Sequence, residues 1–225
     1  MNACVWCGRR LSGVVTVSQL WRWGPLVKTD VCQDCQTRLT PISSQHCPQC
    51  GRQQTDETVC HDCQRWAGQP LVNHALYVYD AAMKAYMQQY KFQGDYALRR
   101  VLQEPLRLAL ARESYDILVP IPVDQATWQQ RGFNQVTGWL QTQPFQQALL
   151  VQATHKDQPQ SAKDRAARLR TQQPFTLALN AADILRDQRV LLLDDVYTTG
   201  RTLRHAAEQI YLGGAKAVTS LTLAR

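Results

Sequence analysis

Val190-Leu191-Leu192-Leu193-Asp194-Asp195-Val196-Tyr197-Thr198-Thr199-Gly200-Arg201-Thr202-Leu203 is the stretch on which the reading of this chain turns. Its apolar head fits a buried parallel strand. Two adjacent carboxylates, Asp194 and Asp195, then stand at the C-terminal end of that strand, where open α/β sheets bind ligands. A turn of small hydroxylated residues and a glycine follows, and a helix opens beyond it. Such a turn wraps a phosphate with backbone N–H groups and threonine hydroxyls, and the helix N-terminus adds its positive dipole end. The carboxylates repel a phosphate but suit ribose hydroxyls, directly or through a metal. A phosphate grip and a sugar-diol grip thus lie side by side, as a ribose 5-phosphate requires. No Gly-Lys-Ser/Thr follows, so this is not a P-loop, and no GxGxxG marks a dinucleotide site. A plain solvated loop is the bland alternative, and paired acids beside Thr-Thr-Gly argue against it.

Working outward, residues 201–212 read as a helix stopped by Gly213-Gly214, and 217–223 as a strand. Upstream, 74–79 alternates and is aromatic-rich, as a strand would be. Residues 81–90 and 96–112 read as helices, with Pro105 a kink or a break in the second. A buried strand over 117–122 ends in Pro120 and Pro122, a helix covers 135–143, and strands cover 149–153 and 189–193. Residues 154–174 are polar and charge-rich, predicting a loop that runs into a short helix. Strands alternating with helices predict an α/β fold, a parallel sheet covered by helices on both faces.

All eight cysteines fall within the first 63 residues, as Cys4/Cys7, Cys32/Cys35, Cys47/Cys50 and Cys60/Cys63. A CxxC turn brings two sulfurs to one metal at about 2.3 Å, and two such turns close a tetrahedral site. Four pairs predict two zinc ions. Sequential pairing gives two ribbons in series; interleaved pairing gives a cross-braced module. Ribbon hairpins favour the first. A disulfide framework or a redox pair is the alternative, and neither fits four CxxC turns without a secretory leader. Sites of four thiolates leave no open position, so the zinc is structural and supplies folding energy to a head too short for its own core. His46 and His61 flank ligand cysteines but read as surface residues, and Trp6, Trp21, Trp23 and Trp66 as caps on a thin core. The segment 65–70 reads as a linker between a head at 1–66 and an α/β domain at 67–225.

The formal charge is +7, with seven Lys/Arg against five Asp/Glu in residues 1–70. Two zinc ions on eight thiolates would lower the whole chain to about +3. The basic balance is therefore poor evidence for nucleic acid. No run of 18 apolar residues exists, so no membrane insertion is expected. A start at Met1-Asn2-Ala3-Cys4 without a basic-then-apolar segment predicts a cytoplasmic protein.

The opening stretch resembles the signature by which type I phosphoribosyltransferases bind 5-phosphoribosyl 1-diphosphate (PRPP). The resemblance implies that Asp194 and Asp195 contact the ribose hydroxyls and serve as the catalytic acids. It implies that Val196 and Tyr197 belong to the PRPP-binding site, that Thr198, Thr199, Gly200, Arg201 and Thr202 hold the 5-phosphate, and that Mg²⁺ bridges the diphosphate. Further pieces narrow it: Tyr90-Lys91-Phe92-Gln93-Gly94-Asp95, then Val119-Pro120-Ile121-Pro122 followed by Arg131-Gly132-Phe133-Asn134-Gln135, behind a cysteine-rich head. Over nearly its whole length the chain resembles the ComF family of competence-associated proteins, which join a zinc-ribbon head to a phosphoribosyltransferase-like domain. One segment departs from that pattern. A Gln…Arg…Asn run ending in Phe is met loosely by Gln160, Arg165, Arg168 and Phe175, with Gln172-Gln173 near the Asn position. Lys91 and Arg131 are candidates for the diphosphate, since Arg offers a bidentate fork to phosphate oxygens; a surface or capping cation is the other reading of each.

Two functions follow. An enzyme would displace pyrophosphate from C1 of PRPP with a nitrogen nucleophile, through an oxocarbenium-like state. A DNA-handling protein on the same fold would use the zinc head with Lys163, Arg165, Arg168 and Arg170 to contact single-stranded DNA. The resemblance implies DNA uptake in natural transformation, with a competence helicase or other uptake proteins as partners.

Overall fold

The structure is a computed structural model that describes residues 3–11, 30–66, 71–152 and 173–225. Two one-turn helices, α1 (Gln33–Gln36) and α2 (His61–Gln64), lie in the cysteine-rich head. Then come β1 (Asn73–Tyr77), α3 (Ala81–Phe92), α4 (Arg99–Leu110), β2 (Ile117–Pro120), α5 (Gln125–Arg131), α6 (Gln135–Gly138) and β3 (Leu149–Val151). β4 (Phe175–Leu177), α7 (Ala181–Leu185), β5 (Arg189–Val196), α8 (Arg201–Leu212) and β6 (Ala217–Ala224) complete the order.

Four strands form a parallel sheet in the order β1-β6-β5-β2. The apolar run of β5 is explained by its place inside this sheet. Leu191 and Leu193 enter one core with Tyr86, Tyr90, Leu102 and Trp139 from the α3, α4 and α6 side. Val190 and Leu192 point the other way, into a core with Leu203, Ala206 and Ile210 of α8. A strand buried on both faces needs apolar residues at every position, and each such side chain stabilises by about 1.5–3 kcal/mol. Tyr86 and Tyr90, buried in the first of these cores, keep their hydroxyls satisfied. Trp139 Nε1 donates to Tyr86 Oη at 3.0 Å, and Tyr86 Oη donates to the Leu98 carbonyl at 3.1 Å.

The elements differ from the sequence reading in several places. The helix predicted over 135–143 stops after one turn at Gly138, and Gln141 takes a left-handed backbone (φ 51°) that ends any continuation. α5 was not predicted: its N-cap Asp124 accepts from Thr127 N–H at 2.7 Å, but no residue of the helix is buried, so no apolar stripe betrays it. Pro105 does not break α4, which runs through it after a 3₁₀ turn at Tyr96–Leu98. The strand predicted over 149–153 forms as β3, outside the parallel sheet, in an antiparallel pair with β4. The loop predicted over 154–174 lies outside the described residues except at its end.

Candidate ligand-binding site and metal clusters

β5 runs further than its apolar head. It carries both carboxylates within the ladder, because β6 continues beside it: Asp194 pairs with Thr222 and Val196 with Ala224. Asp194 is buried, and its Oδ1 accepts from the Asp195 N–H at 2.8 Å. Burial, and after it the Asp195 charge, push the Asp194 carboxyl up to about 8, against an opposing pull from Lys91.

Asp195 is the meeting point of the site. Lys91, near the end of α3, forms an ion pair with its Oδ2. Gln135 Nε2 donates to the same oxygen at 3.0 Å, and Arg131 Nη1 donates to Gln135 Oε1 at 2.8 Å. Gln135 is held in turn by its backbone, whose carbonyl accepts from Tyr90 Oη at 3.0 Å. The Arg131 guanidinium lies 5.1 Å from the Phe92 ring centroid, and its Nε is buried without a partner. Burial lowers the Arg131 pKa, while Asp195 and Asp124 act to raise it. Both proposed diphosphate cations thus gather around one carboxylate. Gln135, which ties them together, carried no role in the sequence reading, because only the fold brings it to Asp195.

Beyond β5 the chain turns sharply. Tyr197 N–H still bonds the Ala224 carbonyl at 2.9 Å, and Gly200 then takes φ +78°. A Cβ at Gly200 would collide with the buried Tyr197 ring, so the turn needs glycine twice over. Thr199 Oγ1 accepts from Arg201 N–H at 3.4 Å, and the Gly200 carbonyl accepts from Arg204 N–H at 3.0 Å as α8 begins. Thr202 is exposed in the first turn of α8. The backbone N–H groups of Thr198, Thr199 and Gly200 have no acceptor among the described residues. Unpartnered N–H groups beside a helix N-terminus form an anion nest. The same turn is gripped from behind by Arg225, which sequence reasoning did not single out. Its Nη1 donates to the carbonyls of Tyr197 at 3.2 Å and Thr198 at 2.8 Å.

In the head, the sulfurs of Cys4, Cys7, Cys32 and Cys35 lie within 4.8 Å of one another, and those of Cys47, Cys50, Cys60 and Cys63 do likewise. The pairing is sequential, and every cysteine is a free thiol. Burial opposes ionisation of Cys4, but N–H groups led by that of Cys32 outweigh it and hold the thiol down to about 6. Cys47, facing the Cys60 N–H at 3.3 Å, is held at about 7 in the same way. Two closed Cys4 sets of this kind fit two structural zinc ions. His46 lies outside both sets and meets the Ser43 carbonyl at 2.7 Å; His61 lies beside Arg65. Trp6 packs edge-on against Tyr86 of α3 at 5.5 Å, so it joins the core of the α/β body rather than only capping the head. Trp66 instead lies 4.6 Å from the Arg204 guanidinium. Trp21, Trp23, Lys163, Arg165, Arg168 and Arg170 lie outside the described residues.

Residues 23–64 match the double zinc ribbon domain, and residues 125–225 match the phosphoribosyl transferase domain. Fold and site therefore define a phosphoribosyltransferase-type α/β domain carrying a cysteine-only zinc-ribbon head. Competence protein ComFC of Streptococcus pneumoniae is 32% identical over 99% of this chain and 99% of its own length. Competence protein ComFC of Bacillus subtilis is 32% identical over 99% of this chain and 94% of its own. Competence protein F of Haemophilus influenzae is 26% identical over 89% and 92%. The chain belongs to the ComF family of competence proteins. Among the described residues, no helix is long and apolar enough to cross a membrane.

Proposed function

We propose that this protein binds PRPP or a related phosphorylated ribose in the cytoplasm and acts in natural competence, in DNA uptake and transformation. The observation that carries the reading is the juxtaposition at the tip of β5. Asp195 lies at the C-terminal end of β5, and in the turn that follows the N–H groups of Thr198, Thr199 and Gly200 have no acceptor among the described residues. The 5-phosphate sits in the turn, with Arg201 and Thr202 at the mouth of α8. The ribose hydroxyls face Asp194 and Asp195, and Asp194, carrying its proton below about 8, donates to a hydroxyl oxygen. Lys91 and Arg131 face the diphosphate, and Lys91 leaves Asp195 when the sugar arrives. Asp195, partly exposed, suits a Mg²⁺ ion as an oxygen ligand; such an ion would neutralise diphosphate charge. The competence role follows the names of the relatives, and a head at 1–66 with a ligand domain at 67–225 follows the change in composition.

If the protein turns over, a nitrogen nucleophile bonds to C1, the C1–O bond breaks with its electron pair, and pyrophosphate leaves. Positive charge then builds on the ribose ring, where the Asp195 carboxylate stabilises it. Calorimetric titration with PRPP, with and without Mg²⁺, is the direct test. Heat that vanishes in Asp195→Asn supports the reading, and no heat from the wild type at several millimolar PRPP removes it. A DNA role predicts single-strand binding that weakens steeply with salt and a flatter slope when Lys163, Arg165, Arg168 and Arg170 are neutralised.

A further inference from the structure

We infer that Arg225 is a positioning residue that couples the second zinc cluster to the phosphate turn, so that metal at Cys47, Cys50, Cys60 and Cys63 sets the geometry of the turn. The ligand arm of this inference rests on the function proposed above.

One buried guanidinium reaches both sites. Arg225 Nε donates to Cys50 Sγ at 3.4 Å, while Nη1 takes the Tyr197 and Thr198 carbonyls. Nη2 lies 3.8 Å from Asp62, which follows the ligand Cys60 by two residues and also pairs with Arg52. The guanidinium stacks 4.9 Å from the Tyr197 ring centroid. The backbone of Arg225 is pinned as well: its N–H bonds the Tyr77 carbonyl at 3.0 Å, and its carbonyl accepts from Tyr79 N–H at 2.9 Å. The cluster is fixed relative to this residue. Asn73 Nδ2 donates to the Cys50 carbonyl at 3.2 Å, and a Cβ on Gly51 would meet Ala75 at 3.1 Å.

The consequence for the turn follows from peptide geometry. A trans peptide is planar, so its C=O and N–H point in opposite directions. The Tyr197 carbonyl shares a plane with the Thr198 N–H, and the Thr198 carbonyl shares one with the Thr199 N–H. Drawing both carbonyls toward Arg225 therefore turns both N–H groups away from it, and these are two of the three donors that lack an acceptor. Four thiolates around Zn²⁺ carry a net charge of about −2, which holds a guanidinium in place. Without that charge and without a fixed Cys50, the guanidinium loses its anchor on the far side, and the two peptide planes lose their orientation.

Amide shifts of Thr198 and Thr199 in ¹H–¹⁵N spectra of the full chain read the turn with no ligand present. Arg225→Gln, verified by zinc count to keep two ions per chain, is expected to move both signals. Withdrawing the second zinc from wild type should move them the same way, and withdrawing it from the variant should add nothing. Signals that stay in place in Arg225→Gln overturn the inference. Affinity for ribose 5-phosphate should fall about tenfold or more in that variant and less in Arg225→Lys. Should Arg225→Gln fail to fold, wild type alone decides: bound ribose 5-phosphate should slow transfer of one of the two zinc ions to a chromophoric chelator. Binding by calorimetry without that slowing overturns the coupling, whereas absence of binding overturns the sugar-phosphate reading and leaves the amide shifts to judge the coupling.

Discussion

Asp194 is a carboxyl group taken out of water and placed against another acid, and these two facts set its behaviour. Burial and the Asp195 charge raise its pKa from 3.8 to about 8. A raised folded-state pKa means that the native state binds the proton more tightly than the unfolded chain. The stability this brings is complete below the unfolded value near 4 and is lost as pH rises through about 8. Asp194→Asn removes the charge but keeps an oxygen for the Asp195 N–H. Its unfolding free energy relative to wild type should therefore climb between pH 4 and 8, by a margin on the order of several kcal/mol at the top. A difference that stays flat with pH would show that the carboxyl is not held out of water. Lys91 and Asp195 behave differently, because their pair is only about one-eighth exposed. Lys91→Met strands the carboxylate and should cost about 3 kcal/mol in chemical denaturation. The two acids and eight cysteines were legible in the sequence because their spacing is local. Gln135 and Arg225 were not, because a glutamine and an arginine acquire meaning only from partners 60 and 175 positions away.

Between residue and molecule, the unit that matters is β5, its turn and α8. Gly200 joins them with a left-handed backbone and with no room for a side chain above Tyr197. Gly132 offers a comparison, since it has a similar φ of +77° and nothing within 4 Å of an added Cβ. Gly132→Ala should cost about 1 kcal/mol, the backbone strain alone. Gly200→Ala adds a collision with a packed ring and should cost at least about 2 kcal/mol more, together with ribose 5-phosphate binding. Equal costs, measured by urea titration, would mean that the turn yields freely. The β5-α8-β6 unit was readable because its apolar run, glycine stops and helix period all agree. α5 and α7 were not, being short; α5 buries no residue, and α7 starts at Asn180 with a left-handed φ of 62° and no side-chain cap. The over-long helix at 135–143 has a related cause: buried Val136, Trp139 and Leu140 mimic helical spacing while the chain turns through Gln141.

Across the whole molecule, composition changes near residue 66, where the cysteine-rich stretch gives way to alternating strands and helices, yet the hydrophobic core does not respect that line. Cys4, Val31, Cys35 and Leu39 share one cluster of buried residues with Met83, Tyr86, Tyr90 and Trp139. The second set of cysteines shares the opposite cluster with Leu192, Tyr197 and Leu203. Local spacing could announce the metal sites, but it could not announce that each would lie against a different face of the same sheet. The thermodynamic consequence is testable. Cys35 is fully buried, so Cys35→Ser opens the first zinc site and loosens the packing under Tyr86 at once. Zinc content should fall from two to one per chain. The thermal transition should stay single and move down by about 5–10 °C, as a loss of roughly 2–3 kcal/mol does in a chain of this size. Independent head and body would instead give two transitions, with the body melting where it does in wild type. Scanning calorimetry distinguishes these outcomes, and only the single, shifted transition agrees with a core that both modules build together.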